Sequence, residues 1–438
     1  MVAAVLRVSK VRSGGGAYYL EVADGSGTGI EASGRWMGSG PPAWRLSGTV
    51  EAADFEAVLS GADPRTGHVL GTSRHRVTVA GFDMTFSAPK SVSLLHALGD
   101  PDVSHAVAAG HAGAVGAVMS YVERHALAVR RRGEAPRPVP TEVDGVAAVG
   151  FLHRMSRALD PHLHTHVVVA NLGRGPEGTW SALDGRGVYA HASAADALYH
   201  SHLRHELTRS LGLVWDPPDR GRADIVGISP EARREFSRRA AEIATHLAER
   251  QVKSGRAHTV AAHVTRADKD LHLGADDLRP EWKDRALTVG LGPRRLEAVL
   301  DRAPRLSVSR ASALEQPELP AAAIHALGGL RRTVTRRDVV AAWGRALPGG
   351  APVPAVEEAA DRLLEYLAPE QRQRGEHQGP GVAERRHQVP SRELGRGAHR
   401  GQRRGDAGSA ELSRLLAGRG IGLDRPDGRR PDMGIGFG

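Results

Sequence analysis

Three histidines in two neighbouring segments have the spacing of a shared metal site. His164 and His166 lie two apart at the start of a β-branched run, which predicts a strand that turns both side chains to one face. His153 ends a second alternating segment, and only a short loop with an Asp-Pro turn signal separates the two segments. Two adjacent antiparallel strands would bring the three imidazoles to one point.

Three imidazoles without a carboxylate or thiolate ligand leave coordination positions open, which is typical of catalytic metal sites. Such an ion polarises an oxygen or activates a nucleophile. We expect one divalent cation (Mg²⁺, Mn²⁺ or another first-row ion), because imidazole accepts many metals. A chance His-x-His is the alternative in a chain with 22 histidines; the neighbouring segments favour the metal site.

The segment 82–91 contains a second group of polar candidates. Asp83 and Thr85 alternate with apolar residues, so Asp83 could accept a hydrogen bond from a metal-bound imidazole in an adjacent strand. Ser87 is expected to cap a helix whose first turn holds Lys90, and a helix N-terminus binds phosphate. The alternatives are a solvated strand carboxylate and an ordinary surface lysine.

Tyr18 and Tyr19 are candidate nucleophiles for a phosphodiester. A free phenol has a pKa near 10, and it needs a nearby cation or base before it can attack at neutral pH. A metal ion would supply that cation and would also neutralise charge on the phosphate oxygens. The alternative is a buried aromatic pair without catalytic function.

The formal net charge of +9 makes nucleic acid a plausible partner. Arg154 and Arg157, together with the arginines at 130–132, are candidate phosphate contacts, since they lie in or beside the segments that carry the histidines. Trp180 could stack on a base. A solvated basic face and a core tryptophan are the corresponding alternatives.

Other classes of function find no support in the sequence. The chain has no cysteine, which excludes disulfides and thiolate chemistry. We find no signal peptide, no apolar run that would span a membrane and no phosphate-binding Walker loop, so we expect a cytoplasmic protein without a nucleotide cofactor.

The order of predicted elements indicates an α+β fold with an antiparallel sheet. Residues 1–300 are expected to form one domain, with helices near 101–125, 190–212 and 229–252 and a hairpin that pairs 126–132 with 145–153. Residues 315–368 predict a small helical module. Residues 369–438 form a basic low-complexity tail, which we expect to be disordered or the product of a shifted reading frame.

Several stretches resemble the conjugative relaxases of the MobF family (the TrwC/TraI type), which belong to the HUH endonucleases. The most specific are Asp-x-Thr-Phe-Ser-Ala-Pro-Lys-Ser and Leu-His-Thr-His. The matching stretches, within about 1–300, are 17–19, 82–93, 151–161, 163–171, 179–184 and 278–286. Residues 315–368 resemble the junction between relaxase and helicase.

The resemblance implies site-specific nicking and transesterification of single-stranded DNA at an origin of transfer. Tyr18 matches the family nucleophile, Asp83 matches the carboxylate that supports a metal histidine, and the three histidines match the metal ligands. The implied fold is a five-stranded antiparallel sheet of polymerase-palm type, flanked by helices. Expected partners are a separate helicase, accessory DNA-binding proteins and a coupling protein, and the protein is expected to be monomeric.

The chain departs from the family pattern in three places. Residues 26–31 hold no second tyrosine, nothing after about 370 resembles the helicase, and His162 replaces the usual glutamine. The missing second tyrosine and helicase favour one alternative, an inactive remnant that only binds single-stranded DNA. Two further alternatives are an HUH replication initiator or transposase and a metal-dependent hydrolase that uses water.

Overall fold

A computed structural model of the 438-residue chain describes residues 6–23, 31, 33–37, 44, 46–70, 78–131, 139–249, 273–301, 327, 334–367 and 388–389. Apart from its residues 388–389, the predicted tail 369–438 lies outside the described residues, and so does the segment 26–30.

The described strands and helices alternate irregularly along the chain. The strands are β1 (Arg7–Arg12), β2 (Arg35–Met37), β3 (Val79–Ser87), β4 (Val129–Arg131), β5 (Val139–Thr141), β6 (Val146–Met155), β7 (Pro161–Arg174), β8 (Trp180–Ser181), β9 (Val334–Thr335) and β10 (Gln388–Val389). The helices are α1 (Ala17–Ala23), α2 (Ala52–Ser60), α3 (Lys90–Leu98), α4 (Pro101–His125), α5 (Gly185–Leu211), α6 (Pro230–Glu235), α7 (Arg238–Glu249), α8 (Ala275–Thr288), α9 (Pro293–Leu300), α10 (Arg336–Ala346) and α11 (Val353–Leu367).

An antiparallel sheet forms the centre of the molecule, in the strand order β1-β3-β7-β6-β2. A sixth short strand, β8, pairs with the far end of β7. The predicted α+β class with an antiparallel sheet flanked by helices is therefore confirmed, with one strand more than expected. In the described part of the chain, no helix is long and apolar enough to cross a lipid bilayer.

The two faces of the sheet are covered differently. In β3, Phe82, Met84 and Phe86 are buried against the long helices α4 and α5. The other face carries Asp83 and a smaller apolar cluster, in which Phe151 packs with residues of α1 and α2. Alternating side chains of one strand thus serve two layers, as the period of a strand requires.

Three local predictions were wrong. β4 pairs with β5, whereas β6 pairs along most of its length with the long apolar strand β7, so 126–132 and 145–153 do not form a hairpin. Ser87 does not cap a helix, because its backbone still pairs with His164; α3 begins at Lys90 after Pro89, which occupies the cap position. The predicted helix 229–252 is two helices, separated at Phe236–Ser237.

Helices α10 and α11, which fall within the predicted module 315–368, pack on the helical layer of the sheet. Trp343 and Val356 are buried in the same apolar cluster as the residues of α4 and α5. Glu357 of α11 accepts hydrogen bonds from Arg124 (2.6 Å) and His125 (2.8 Å) at the end of α4. The division of the chain into domains stays a prediction.

Candidate metal and nucleophile site

The pairing of β6 with β7 brings the three predicted histidines together. His153 lies directly opposite His164, and His166 lies opposite Phe151, two pairs further along the ladder. One ring nitrogen from each imidazole can be chosen so that all three lie within 4.8 Å of one another. His153 and His164 are buried, and His166 is half-buried.

Neighbouring groups orient two of these rings. His166 Nδ1 lies 3.0 Å from both carboxylate oxygens of Asp83, and His164 Nδ1 lies 2.8 Å from the His162 carbonyl oxygen. When each Nδ1 carries the proton and donates it, each Nε2 keeps its lone pair for a metal ion. Burial, with the adjacent imidazoles of His162, His153 and His166, lowers the pKa of His164 well below its ordinary value. The oriented donor set fits a divalent metal ion.

Tyr19 is part of the support for Asp83. Its hydroxyl donates to Asp83 Oδ2 at 3.0 Å, and its ring is buried against Phe55 and Phe151. Burial, followed by the charge of Asp83, raises the pKa of the Tyr19 phenol above its ordinary value of 10. The Tyr19 phenol therefore stays protonated as a hydrogen-bond donor at neutral pH.

Tyr18 has a different environment, although it is the adjacent residue of α1. The ring is half-buried, and its hydroxyl oxygen accepts a hydrogen bond from Arg157 Nη2 at 2.9 Å. The guanidinium carbon also lies 5.7 Å from the ring centroid. A fixed positive charge beside the phenol oxygen stabilises negative charge there, so of the two tyrosines Tyr18 is the better placed nucleophile.

A cleft of about 650 Å³ joins these groups. Tyr18, Asp83, the three histidines and Arg157 all line it, and so does Ser87. Five further basic residues on its walls were missed by the sequence analysis: Arg7, Lys10, Arg12, Arg222 and Arg239. The first three belong to the edge strand β1, and the available signal was three basic residues within its six-residue sequence Arg-Val-Ser-Lys-Val-Arg.

The remaining predicted DNA contacts have protein partners. Lys90 Nζ donates to the Pro161 carbonyl at 2.6 Å, and burial lowers the pKa of this lysine to about 8. Arg154 Nη1 donates to Asp276 at 2.8 Å. Trp180 stacks on Trp44, with ring centroids 4.8 Å apart, and lines a separate cavity of about 590 Å³. Contacts of these residues with DNA stay predictions, and the side chains at 130–132 lie outside the described residues.

Comparison with known proteins identifies the family. The sequence model of the TrwC relaxase matches residues 6–289. The chain belongs to the TrwC relaxase family. The resemblance deduced from the motifs is thereby confirmed over most of the described residues.

A curated relative and solved structures agree with this assignment. The multifunctional conjugation protein TraI of Escherichia coli is 30% identical over 365 residues, which cover 78% of this chain and 20% of that protein. The chain thus spans about a fifth of the length of the curated relatives it matches.

Two structures of the conjugative relaxase TrwC cover 65% of this chain and 98% of their own. The metal-bound complex with OriT DNA is 26% identical, with a TM-score of 0.58. The complex with a 27-mer DNA that comprises the recognition hairpin and the cleavage site is 28% identical, with a TM-score of 0.56.

Proposed function

We propose that this protein nicks one DNA strand at an origin of transfer by transesterification and stays joined to the 5′ end through Tyr18 during conjugation. The observation that carries the proposal is the hydrogen bond from Arg157 to the Tyr18 oxygen, in the same cleft as three convergent imidazoles. Membership of the TrwC relaxase family supports it, since solved relatives are complexes with OriT DNA.

The chemical step is one displacement at phosphorus. The Tyr18 oxygen attacks the scissile phosphate while its proton passes to solvent, and a bond forms between phosphorus and the phenol oxygen. The bond from phosphorus to the 3′ oxygen breaks, and that oxygen takes up a proton to become a 3′-hydroxyl. Because one phosphodiester replaces another, the step can run backwards and rejoin DNA.

The residues of the cleft divide the work. Arg157 holds the phenol oxygen and stabilises the negative charge that develops on it. His153, His164 and His166 would hold one divalent ion, which when bound neutralises charge on the phosphate oxygens. Asp83 keeps the His166 ring in its metal-binding orientation, while Tyr19 holds Asp83.

The proposal also covers the DNA substrate, the metal ion and the partners of the protein. The DNA substrate is single-stranded, and the basic side chains of β1 would follow its phosphates. Mg²⁺ or Mn²⁺ is the proposed metal, and no nucleotide is needed. We infer a monomer that acts in the cytoplasm with a separate helicase, accessory DNA-binding proteins and a coupling protein, and that enters the recipient cell joined to the DNA.

The test is a search for a covalent adduct. The full chain is incubated with a randomised single-stranded DNA library and Mg²⁺ or Mn²⁺, denatured, and assayed for joined DNA, which is then sequenced. We expect an adduct that Tyr18→Phe and His164→Ala abolish. Tyr189→Phe is the matched control, because this tyrosine is exposed and lies outside the cleft.

Three outcomes would contradict the proposal. Binding of DNA without an adduct under either metal would indicate a protein that only binds single strands. An adduct that persists in Tyr18→Phe would assign the nucleophile to another residue. Cleavage without an adduct in the wild type would indicate a hydrolase that uses water.

A further inference from the structure

The residue between the two histidines of β7 is held from the opposite face of the sheet. Thr165 is 7% exposed and, by the alternation of the strand, points away from the face of His164 and His166. Its hydroxyl oxygen lies 2.7 Å from His111 Nε2. His111 belongs to α4, in the helical layer of the sheet.

His111 is the middle of a buried chain of three polar side chains. It is fully buried, and its other ring nitrogen, Nδ1, lies 2.8 Å from the hydroxyl of Tyr199 in α5. Burial lowers the pKa of His111 to about 3, so the ring is neutral and has one donor and one acceptor nitrogen. Because both hydroxyls can donate or accept, either tautomer satisfies the ring. This series of hydrogen bonds links α5 and α4 to β7.

This contact differs physically from the packing around it. Leu163 and Val167, the neighbours of Thr165 on the same face of β7, are fully buried apolar residues. Apolar packing is non-directional, whereas a hydrogen bond fixes distance and angle. His111 therefore adds a directional contact between β7 and α4 at the level of the metal ligands, beside the hydrogen bond from the Leu163 N–H to Ser93 of α3.

We propose that His111 is a positioning residue for the metal centre, which acts through Thr165 on the separation of His164 and His166 from His153. The inference rests on the proposed function only in its metal site. Replacement of His111 would leave the Thr165 hydroxyl buried without this partner, and β7 would shift to relieve that cost.

The experiment measures metal binding in the absence of DNA. The full chain is titrated with Mn²⁺ and with Co²⁺ by calorimetry, and the visible absorption of bound Co²⁺ reports its coordination geometry. We expect His111→Phe to weaken metal binding about fivefold, which corresponds to the typical net contribution of one hydrogen bond. We also expect it to change the Co²⁺ spectrum.

His191→Phe is the matched control. Its imidazole also joins α4 and α5, through a 2.9 Å contact between Nδ1 and the Tyr121 hydroxyl, but it does not lead to β7. We expect this variant to lose stability and to bind Co²⁺ as the wild type does. Equal weakening in both histidine variants would overturn the proposal, since it would indicate general loosening of the helical layer.

Thr165→Val keeps the inference falsifiable if His111→Phe does not fold. Valine has nearly the same shape, and it removes the same hydrogen bond while His111 remains. We expect the same loss of metal affinity, about fivefold, and no further loss in the double variant, because both changes delete the same hydrogen bond to β7.

Unchanged Co²⁺ affinity and spectrum in Thr165→Val, or a wild type that binds neither ion, would overturn the proposal. Failure to nick DNA would not overturn this inference, because the titration contains no DNA. Normal nicking together with metal binding that is insensitive to His111→Phe would reject this inference and leave the proposed function intact.

Discussion

At the scale of single residues, the two adjacent tyrosines lie in different environments. Tyr18 is half-buried and its oxygen faces Arg157, whereas Tyr19 is buried and donates to Asp83. The pKa of Tyr19 is raised by burial and by the Asp83 charge, which disfavours its phenolate. In this conformation Tyr19 is therefore a poor candidate for a nucleophile, and its hydroxyl donates to the carboxylate that contacts His166.

The residue scale yields a prediction for Tyr19→Phe. The phenyl ring keeps the apolar packing but removes the donor on Asp83, so we expect the Tyr18 adduct to form about fivefold more slowly. The measurement is the rate of adduct formation on the DNA sequence recovered from the library. An adduct abolished by Tyr19→Phe and retained by Tyr18→Phe would reverse the two assignments.

At the scale of elements, the turn between β6 and β7 is fastened to the helices behind it. Asp160 is 1% exposed and accepts hydrogen bonds from the backbone and side chain of Arg238 (2.8 and 2.9 Å) and from Arg285 (3.2 Å). Trp282 Nε1 donates to the Leu159 carbonyl at 2.9 Å. The same turn carries Arg157, so these contacts also set the position of the group that faces Tyr18.

We therefore expect Asp160→Asn to lower the stability of the protein through this turn. Loss of the carboxylate charge leaves two arginines without their buried partner, and we expect a loss of about 3 kcal/mol in the free energy of unfolding, measured by urea denaturation. Asp276→Asn is the control, because the Asp276 side chain is 69% exposed where it pairs with Arg154 and such pairs contribute about 0–1 kcal/mol. A similar loss of unfolding free energy in both variants would contradict the assignment of Asp160 as the buried partner of the two arginines.

At the scale of the whole molecule, buried neutral histidines predict sensitivity to acid. Burial lowers the pKa of His96 and His191 to about 4 and that of His111 to about 3. As the pH falls below 6.5, the unfolded chain takes up these protons first, so the stability present above pH 6.5 is lost progressively towards pH 4 and below. At pH 5 each of these three histidines lowers the free energy of unfolding by about 2 kcal/mol.

The measurement is urea unfolding at pH 7 and pH 5, with a chelator present to remove metal effects. We expect a large drop in the free energy of unfolding, and His191→Phe should reduce that drop by about 2 kcal/mol even though it lowers stability at pH 7. A drop of the same size in His191→Phe and the wild type would contradict the pKa assignment of this residue.

The sequence by itself determined the features that follow from local periodicity. The alternation at 82–86 predicted which side chains of β3 face the helices, and the His-x-His spacing with its short loop predicted the meeting of three imidazoles. The motifs also identified the family. These inferences succeeded because a strand has a two-residue period and because a short connection forces its strands to pair antiparallel.

Only the tertiary structure decided which groups meet across long separations in sequence. Arg157 and Tyr18 are 139 residues apart, and His111 and Thr165 are 54 apart. Tyr18 and Tyr19 are chemically identical neighbours, so the difference in their burial arises from how α1 packs on the sheet. The pairing of β4 with β5 rather than with β6 was decided in the same way. Packing of the whole chain selects such contacts, and local propensity carries no information about them.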